Sequence, residues 1–273
     1  MNLSNLTALS PLDGRYASKA EPLREYLSES ALIRYRTLVE IKWLKHLAEE
    51  PTIIGLPKFD TDVNTALDTI IKNFNLKDAE QVKALEAQTN HDVKAVEYFL
   101  REKLNESKNL SKKMESYIHF ACTSEDINNL SYALMLRDIR EHILLPEMNN
   151  LINDLRILAH EFADTPMLSR THGQPASPTT LGKEFANFVH RLSKQALSFK
   201  QVEVFGKCNG AVGNFNAHIV TYPDTDWINL SKDFIESLGL KYAPYTTQID
   251  PHDWMAEYCQ ALTRYNTIVL DLC

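Results

Sequence analysis

The sequence predicts an all-α protein built from long helices, and three observations carry that reading. Apolar residues recur three and four apart in segment after segment, the spacing of one face of an α-helix. Only eight of the 273 residues are glycine, under half the usual share of ~7%. The Asn-Gly and Asp-Gly pairs that turn β-hairpins between alternating apolar residues are largely missing.

The helices follow in order. Over 28–50 the apolar stripe is Leu32, Tyr35, Val39, Trp43 and Leu47. Over 61–74 it is Val63, Leu67, Ile70, Ile71 and Phe74, behind Asp60 or Thr61 as N-cap. Over 145–163 Met148, Leu151, Ile152, Leu155, Leu158, Ala159 and Phe162 share one face, and Pro146 should kink or break the helix there. Over 179–203 the stripe is Leu181, Phe185, Phe188, Leu192, Ala196 and Phe199. The last stripe, Met255, Tyr258, Leu262, Tyr265, Val269 and Leu272, alternates spacings of three and four, which suits near-parallel packing in a bundle. It runs to Cys273 without glycine, proline or a cap, so the sequence reads as cut within a bundle helix. Irregular stretches are expected at 1–20, 51–59, 105–112, 164–178, 205–227 and 241–251. The polar gap from Asn105 to Ser111 predicts a boundary between an amino-terminal helical domain, 1–112, and an incomplete helical-bundle domain, 113–273.

Composition narrows the function. A formal charge of −7 argues against sequence-independent nucleic-acid binding, which needs dense lysine and arginine to replace phosphate counterions. A local cluster of donors could still hold a small anion, because short-range field depends on nearby groups. The amino terminus, Met1 to Leu6, lacks the basic and apolar regions of a leader, and no stretch nears the roughly eighteen apolar residues of a membrane span. A cytoplasmic protein is expected. Cys122, Cys208, Cys259 and Cys273 are scattered without zinc-type spacing, which predicts free thiols and no structural metal.

Three irregular stretches end at strong helix-start signals, and such starts suit phosphates and carboxylates because unpaired N–H groups and the positive dipole end face outward. Thr123-Ser124-Glu125-Asp126 has capping-box form with Thr123 as N-cap; Ser177-Pro178 and Asp250-Pro251 each place a cap before a proline. Every helix also needs a cap, so the starts alone do not make a site. Before the second start lies Ser169-Arg170-Thr171-His172-Gly173-Gln174-Pro175-Ala176, read as a loop between two helices. His172 stands out there, since an imidazole near pKa ~6.5 is suited to give a proton to a leaving group; the competing reading is a solvated loop histidine. Thr89-Asn90-His91-Asp92-Val93-Lys94 is either a ligand edge or a helix junction capped by Asn90 or Asp92. The stretch Phe205 to Asn214 concentrates Gly206, Gly210 and Gly213 but has neither the G-x-G-x-x-G nor the Walker pattern, so no nucleotide cofactor is implied.

At these residues the sequence resembles adenylosuccinate lyases of the fumarase and aspartase superfamily. The matching stretches are Ser10 to Tyr16, Thr89 to Tyr98, Cys122 to Asn129, Thr171 to Ala176, Gly210 to Asn214 and Tyr245 to Ile249, in order along the chain. The resemblance implies the long-helix bundle of that superfamily and a C–N lyase of the amidine-lyase type. The reaction is β-elimination of fumarate from adenylosuccinate and from the succinylated aminoimidazole carboxamide ribotide, in AMP and purine biosynthesis, without cofactor or metal. It implies His172 as the general acid, Arg15 and Tyr16 as phosphate-side binders, and Asn90, His91, Asp92, Thr123, Ser124 and Gln248 as substrate contacts. A homotetramer is implied for the longer parent. One departure stands out: the family's Ser-Ser-x-Met-Pro-x-Lys-x-Asn-Pro loop, with its serine base, occurs nowhere in the 273 residues, so the chain by itself is expected to be inactive. The rival reading is a non-enzymatic helical scaffold or pseudoenzyme of the same superfamily.

Overall fold

The computed structural model describes residues 6–106 and 112–273. The amino-terminal reading over 1–5 and most of the expected boundary at Asn105–Ser111 lie outside them. In chain order the elements are α1 (Ala17–Ala20), a 3-10 turn, α2 (Arg24–Leu27), α3 (Glu29–Glu49), α4 (Thr61–Lys72), α5 (Leu76–Thr89), α6 (Asp92–Glu106), α7 (Lys112–Glu115) and α8 (Ser124–Ile139). A π-helical turn (Arg140–Leu144) leads into α9 (Leu145–Glu161), then β1 (Pro166–Thr171), β2 (Gln174–Thr180), α10 (Leu181–Lys200), β3 (Phe205–Gly206), α11 (Asn216–Thr221), α12 (Trp227–Ser237), β4 (Lys241–Tyr242) and α13 (Asp253–Leu272). The mostly helical architecture agrees with the sequence. Two compact units form: Met1–Arg137 with Val204–Pro251, and Asp138–Glu203 with His252–Cys273. Among the described residues no helix is long and apolar enough to cross a membrane.

The first unit is organised on α3. Ser28 starts it by accepting the Ala31 N–H at 3.1 Å, and Tyr35, Val39, Trp43 and Leu47 are buried as the stripe predicted, with Ile33 rather than Leu32 completing it. Burying each such large apolar side chain contributes roughly 2–3 kcal/mol. The Trp43 indole donates to the Phe120 carbonyl at 3.1 Å, and its ring lies 4.9 Å from Phe234 of α12. Arg36, Thr37 and Glu40 are buried in the same helix, so α3 carries polar and charged groups into the interior as well as its apolar stripe. At α4 the cap is Asp60, which accepts the Val63 N–H at 2.8 Å. Beyond α8, the parallel pairing of Phe205 with Lys241 and Gly206 with Tyr242 aligns the chain on either side of α11 and α12.

In the second unit α10 packs against both α9 and α13. Gly182 makes the first of these contacts close: a Cβ there would lie 2.4 Å from the Ala159 carbonyl oxygen. Just before Pro146 the regular α-helix is interrupted by the π-helical turn: the Leu145 N–H reaches back five residues to the Arg140 carbonyl, and this wider turn sits where the proline ring would crowd a regular ladder. On α13 the buried face is Trp254, Tyr258, Ala261, Tyr265 and Ile268. Met255, Leu262, Val269 and Leu272, expected in the core, are its half-buried flank. Aromatic contact sets that rotation, with Tyr258 edge-on to Phe199 at 4.7 Å.

Three expectations are corrected. Residues 164–178 are not an irregular loop but mostly an antiparallel hairpin, pairing Met167 with Thr179 and Leu168 with Pro178. Prolines fit this two-stranded ribbon because each strand has an unpaired edge. Ser177-Pro178 therefore lies in β2, and the cap of α10 is Thr180, which accepts the Lys183 N–H at 3.2 Å. Nor does Asp250 cap α13: the helix starts at Asp253 behind His252, which takes a left-handed conformation and gives no side-chain cap.

Candidate active site

In the first unit the sequence motifs meet around the start of α8. Helix α5 stops because Asn90 turns left-handed, φ 50°, and α6 begins two residues later. Between them His91 accepts the Lys94 N–H on Nδ1 at 3.2 Å. A neutral His91 therefore carries its proton on Nε2, which lies 3.5 Å from the Ser124 hydroxyl. Asp92 pairs with Arg36 at 2.6 Å, and Arg36 also donates to Asn128 at 2.8 Å, fastening the junction to α8. Partial burial alone would raise the Asp92 carboxyl; the Arg36 charge and the Val93 N–H outweigh it and hold the pKa below its ordinary value.

Thr123 and Ser124 follow a constrained segment in which His119 and Ala121 both have positive φ, 59° and 58°. Glu40 of α3 holds it, accepting the His119 N–H at 3.0 Å and meeting Nδ1 of the same residue at 2.6 Å. Burial would lower the His119 pKa, but the Glu40 charge and hydrogen bond raise it. Cys122 hydrogen-bonds to Cys208, which with burial pushes the Cys122 thiol well up and keeps it protonated.

Beneath Thr123 lies a buried ion pair. Asp126 Oδ1 meets Lys207 Nζ at 2.9 Å, and neither side chain is exposed. The capping box expected at Thr123 is present in its reverse half, Asp126 Oδ2 accepting the Thr123 N–H at 2.8 Å. The carboxylate also takes the N–H groups of Asn209 and Gly210, both at 3.1 Å. Lys207 spends its other two protons on the carbonyls of Gly210, at 3.2 Å, and Gln248, at 2.6 Å. The Gln248 amide in turn donates to the Thr123 hydroxyl at 3.4 Å.

Asn90, His91, Asp92, Thr123, Ser124 and Gln248 are thus brought together. Arg15 and Tyr16 are exposed near the amino terminus and stack on each other, 5.5 Å from guanidinium to ring centroid; no described hydrogen bond or ion pair joins them to the group. His172 belongs to the second unit, at the tip of the β1–β2 hairpin, where it and Gly173 both have positive φ, as a two-residue type I′ turn requires. Arg36, Glu40 and the Asp126–Lys207 pair escaped sequence reasoning as site-building groups. The available signal was a charged residue placed among residues that must be buried, as Arg36 is beside Tyr35.

Chemically, the grouping offers donors: the Thr123 and Ser124 hydroxyls, the Gln248 amide, His91 Nε2 and the N-terminal end of α8. Its carboxylates, Asp92 and Asp126, are already neutralised by Arg36 and Lys207. Such an arrangement suits a carboxylate or phosphate ligand. Among the described residues no cluster of three or more His, Cys, Asp or Glu could hold a metal ion.

Comparison with known proteins gives a consistent picture. A family described as lyase matches residues 14–273. Adenylosuccinate lyase of Haemophilus influenzae is 54% identical over 271 residues, and that of Escherichia coli K12 is 51% identical. Each alignment covers 99% of this chain and 59% of the relative, so the chain spans somewhat over half the length of these proteins. A fumarate lyase from Mesorhizobium sp. BNC1 superimposes with a TM-score of 0.72 at 20% identity, over 92% of this chain and 55% of that one. The β-carboxy-cis,cis-muconate cycloisomerase of Acinetobacter calcoaceticus gives 0.68 at 18% identity, over 89% and 54%. These two likenesses establish the fold.

Proposed function

This chain belongs to the lyase family, and from that premise we propose that it is the amino-terminal part of an adenylosuccinate lyase. The observation that carries the reading is the meeting of Asn90-His91-Asp92, Thr123-Ser124 and Gln248, joined by contacts that span 33 and 125 residues of sequence. Relatives named adenylosuccinate lyase, aligned over 99% of the chain, support it.

In this reading the donors around Thr123 and Ser124 hold a succinyl carboxylate. A base removes the proton from the carbon beside a carboxylate, and negative charge builds on that carboxylate, where preorganised donors are most effective. The electron pair then forms the C=C bond of fumarate as the C–N bond breaks, and His172 gives its proton to the departing nitrogen. Arg15 and Tyr16 bind the phosphate end. The serine base is assigned to the part of the relatives that this chain does not span. The substrates are adenylosuccinate and the succinylated aminoimidazole carboxamide ribotide; the longer protein is a cytoplasmic homotetramer, divided into an amino-terminal domain to residue 112 and a central bundle beyond it.

The test is kinetic, on the longer protein. Thr123→Ala and Ser124→Ala should each lower kcat/KM by ~100-fold, the usual effect of removing one such donor. His172→Gln should lower kcat while leaving KM near its original value. Unchanged kcat/KM in both hydroxyl variants would remove the proposed site. Residues 1–273 expressed alone should release no fumarate.

A further inference from the structure

We propose that Lys207, through its buried pair with Asp126, is a positioning residue that holds Thr123 and Gln248 in mutual register for substrate. The inference rests on the adenylosuccinate lyase reading for what the two residues contact, but its geometry stands apart from that reading.

An ammonium group has three protons, and all three are used: on Asp126 Oδ1, on the Gly210 carbonyl and on the Gln248 carbonyl. A carboxylate has about four acceptor positions, and Asp126 fills four, with Lys207 and the N–H groups of Thr123, Asn209 and Gly210. A buried ion pair is retained at low cost only when its remaining positions are satisfied in this way. Each surplus bond ends on a different segment: the start of α8, the turn at Asn209–Gly210 and the segment before α13. Asn129 adds a parallel tie, its amide oxygen accepting the Lys207 N–H at 2.8 Å and its NH2 donating to the Lys207 carbonyl at 3.0 Å.

The consequence is a two-point grip. Asp126 fixes Thr123 by its backbone, and Lys207 fixes Gln248 by its backbone, so that the Gln248 amide reaches the Thr123 hydroxyl at 3.4 Å. That side-chain contact is long and exposed and could not hold the two segments by itself. A lysine is suited to the task because its point charge sits on a flexible stem with three separately aimed donors; a planar guanidinium would not fit three convergent acceptors. Lys207 lies below the donors and faces no ligand-accessible surface, being fully buried.

The experiment is a double-mutant cycle on the longer protein, with Lys207→Met, Gln248→Ala and the combination, reading kcat and KM for adenylosuccinate. Gln248→Ala should lower kcat/KM at least tenfold in the parent background and less than twofold once Lys207→Met is present, because the amide is then already displaced. An equal fold-loss in both backgrounds would overturn the proposal. If Lys207→Met does not fold, the cycle is run on Lys207→Met with Asp126→Asn, which removes both charges together and leaves no uncompensated ion. An inactive parent would sink the adenylosuccinate reading instead. The grip is then judged by hydrogen exchange over residues 244–250: faster exchange in the Lys207 variant supports it, and unchanged exchange overturns it.

Discussion

Replacing His218 by phenylalanine should remove a large part of the acid sensitivity of the first unit. His218 lies in α11, fully buried, with Trp227 edge-on at 4.8 Å and Phe215 at 5.3 Å. Neither ring nitrogen has a hydrogen-bond partner among the described residues. Burial pushes its pKa down from 6.5 to about 4; the Asp126 carboxylate opposes that shift and the Lys207 charge adds to it. In the unfolded chain the ring returns to about 6.5. Between these values the unfolded state binds a proton that the folded state refuses, so stability falls as pH drops from 6.5 toward 4 and levels off below. At ~1.4 kcal/mol per pH unit the loss attributable to this one group is roughly 3 kcal/mol. Denaturant unfolding followed by tryptophan fluorescence, repeated at pH values across that window, measures it. The phenylalanine variant should match or exceed the parent near neutrality, since it also removes two unsatisfied nitrogens, and its advantage should widen on acidification. Parallel loss in both proteins would refute the reasoning.

Two further outcomes are expected. Gly182→Ala should destabilise the second unit by about 2 kcal/mol despite the better helix propensity of alanine, because the new methyl meets the Ala159 carbonyl and the Ala163 backbone, which cannot yield as a side chain can; a raised Tm would count against it. Glu40→Gln should lower the His119 pKa, since burial is then opposed only by the smaller influences of Glu97 and Asp126. Linkage gives the sign: the parent pair contributes fully below the unfolded pKa, and its contribution is lost as pH rises through the raised folded value, whereas the variant loses less. A histidine-selective NMR titration reads both states.

What the sequence made legible is what repeats. The α3 and α9 stripes recur often enough that no single residue decides them, and their buried positions, Tyr35, Val39, Trp43 and Leu47 in one and Met148, Ile152 and Leu155 in the other, followed from their period. The face of α13 was displaced by one residue because Met255 and Trp254 both satisfy the spacing, and only contact with Phe199 and its neighbours chooses between them. The hairpin was hidden because its turn is His172-Gly173 rather than Asn-Gly, and its strands carry Pro175 and Pro178, which in a central strand would be disqualifying. Polar clusters announced Asn90–Asp92 and Thr123–Ser124. The groups that hold them did not announce themselves: Arg36, Glu40 and Lys207 are single charges with side-chain or carbonyl partners 41 to 92 residues away, the nearby Gly210 carbonyl on Lys207 apart, and pairing at such separations is a property of the folded chain alone.

The left-handed residues at Asn90, His119, Ala121 and His172 carry a consequence for how this protein can change. Each spends of order 1–2 kcal/mol that glycine would return. Asn90 and Ala121 sit within two residues of His91 and Thr123, His119 lies four residues before Thr123, and the fourth is His172 itself. Laboratory selection for heat resistance would be drawn to these codons, while selection for turnover would hold them in place. Variants bred for endurance should therefore collect changes at the very turns where catalysts retain theirs, and a library scored on both traits would separate along these four positions before any others.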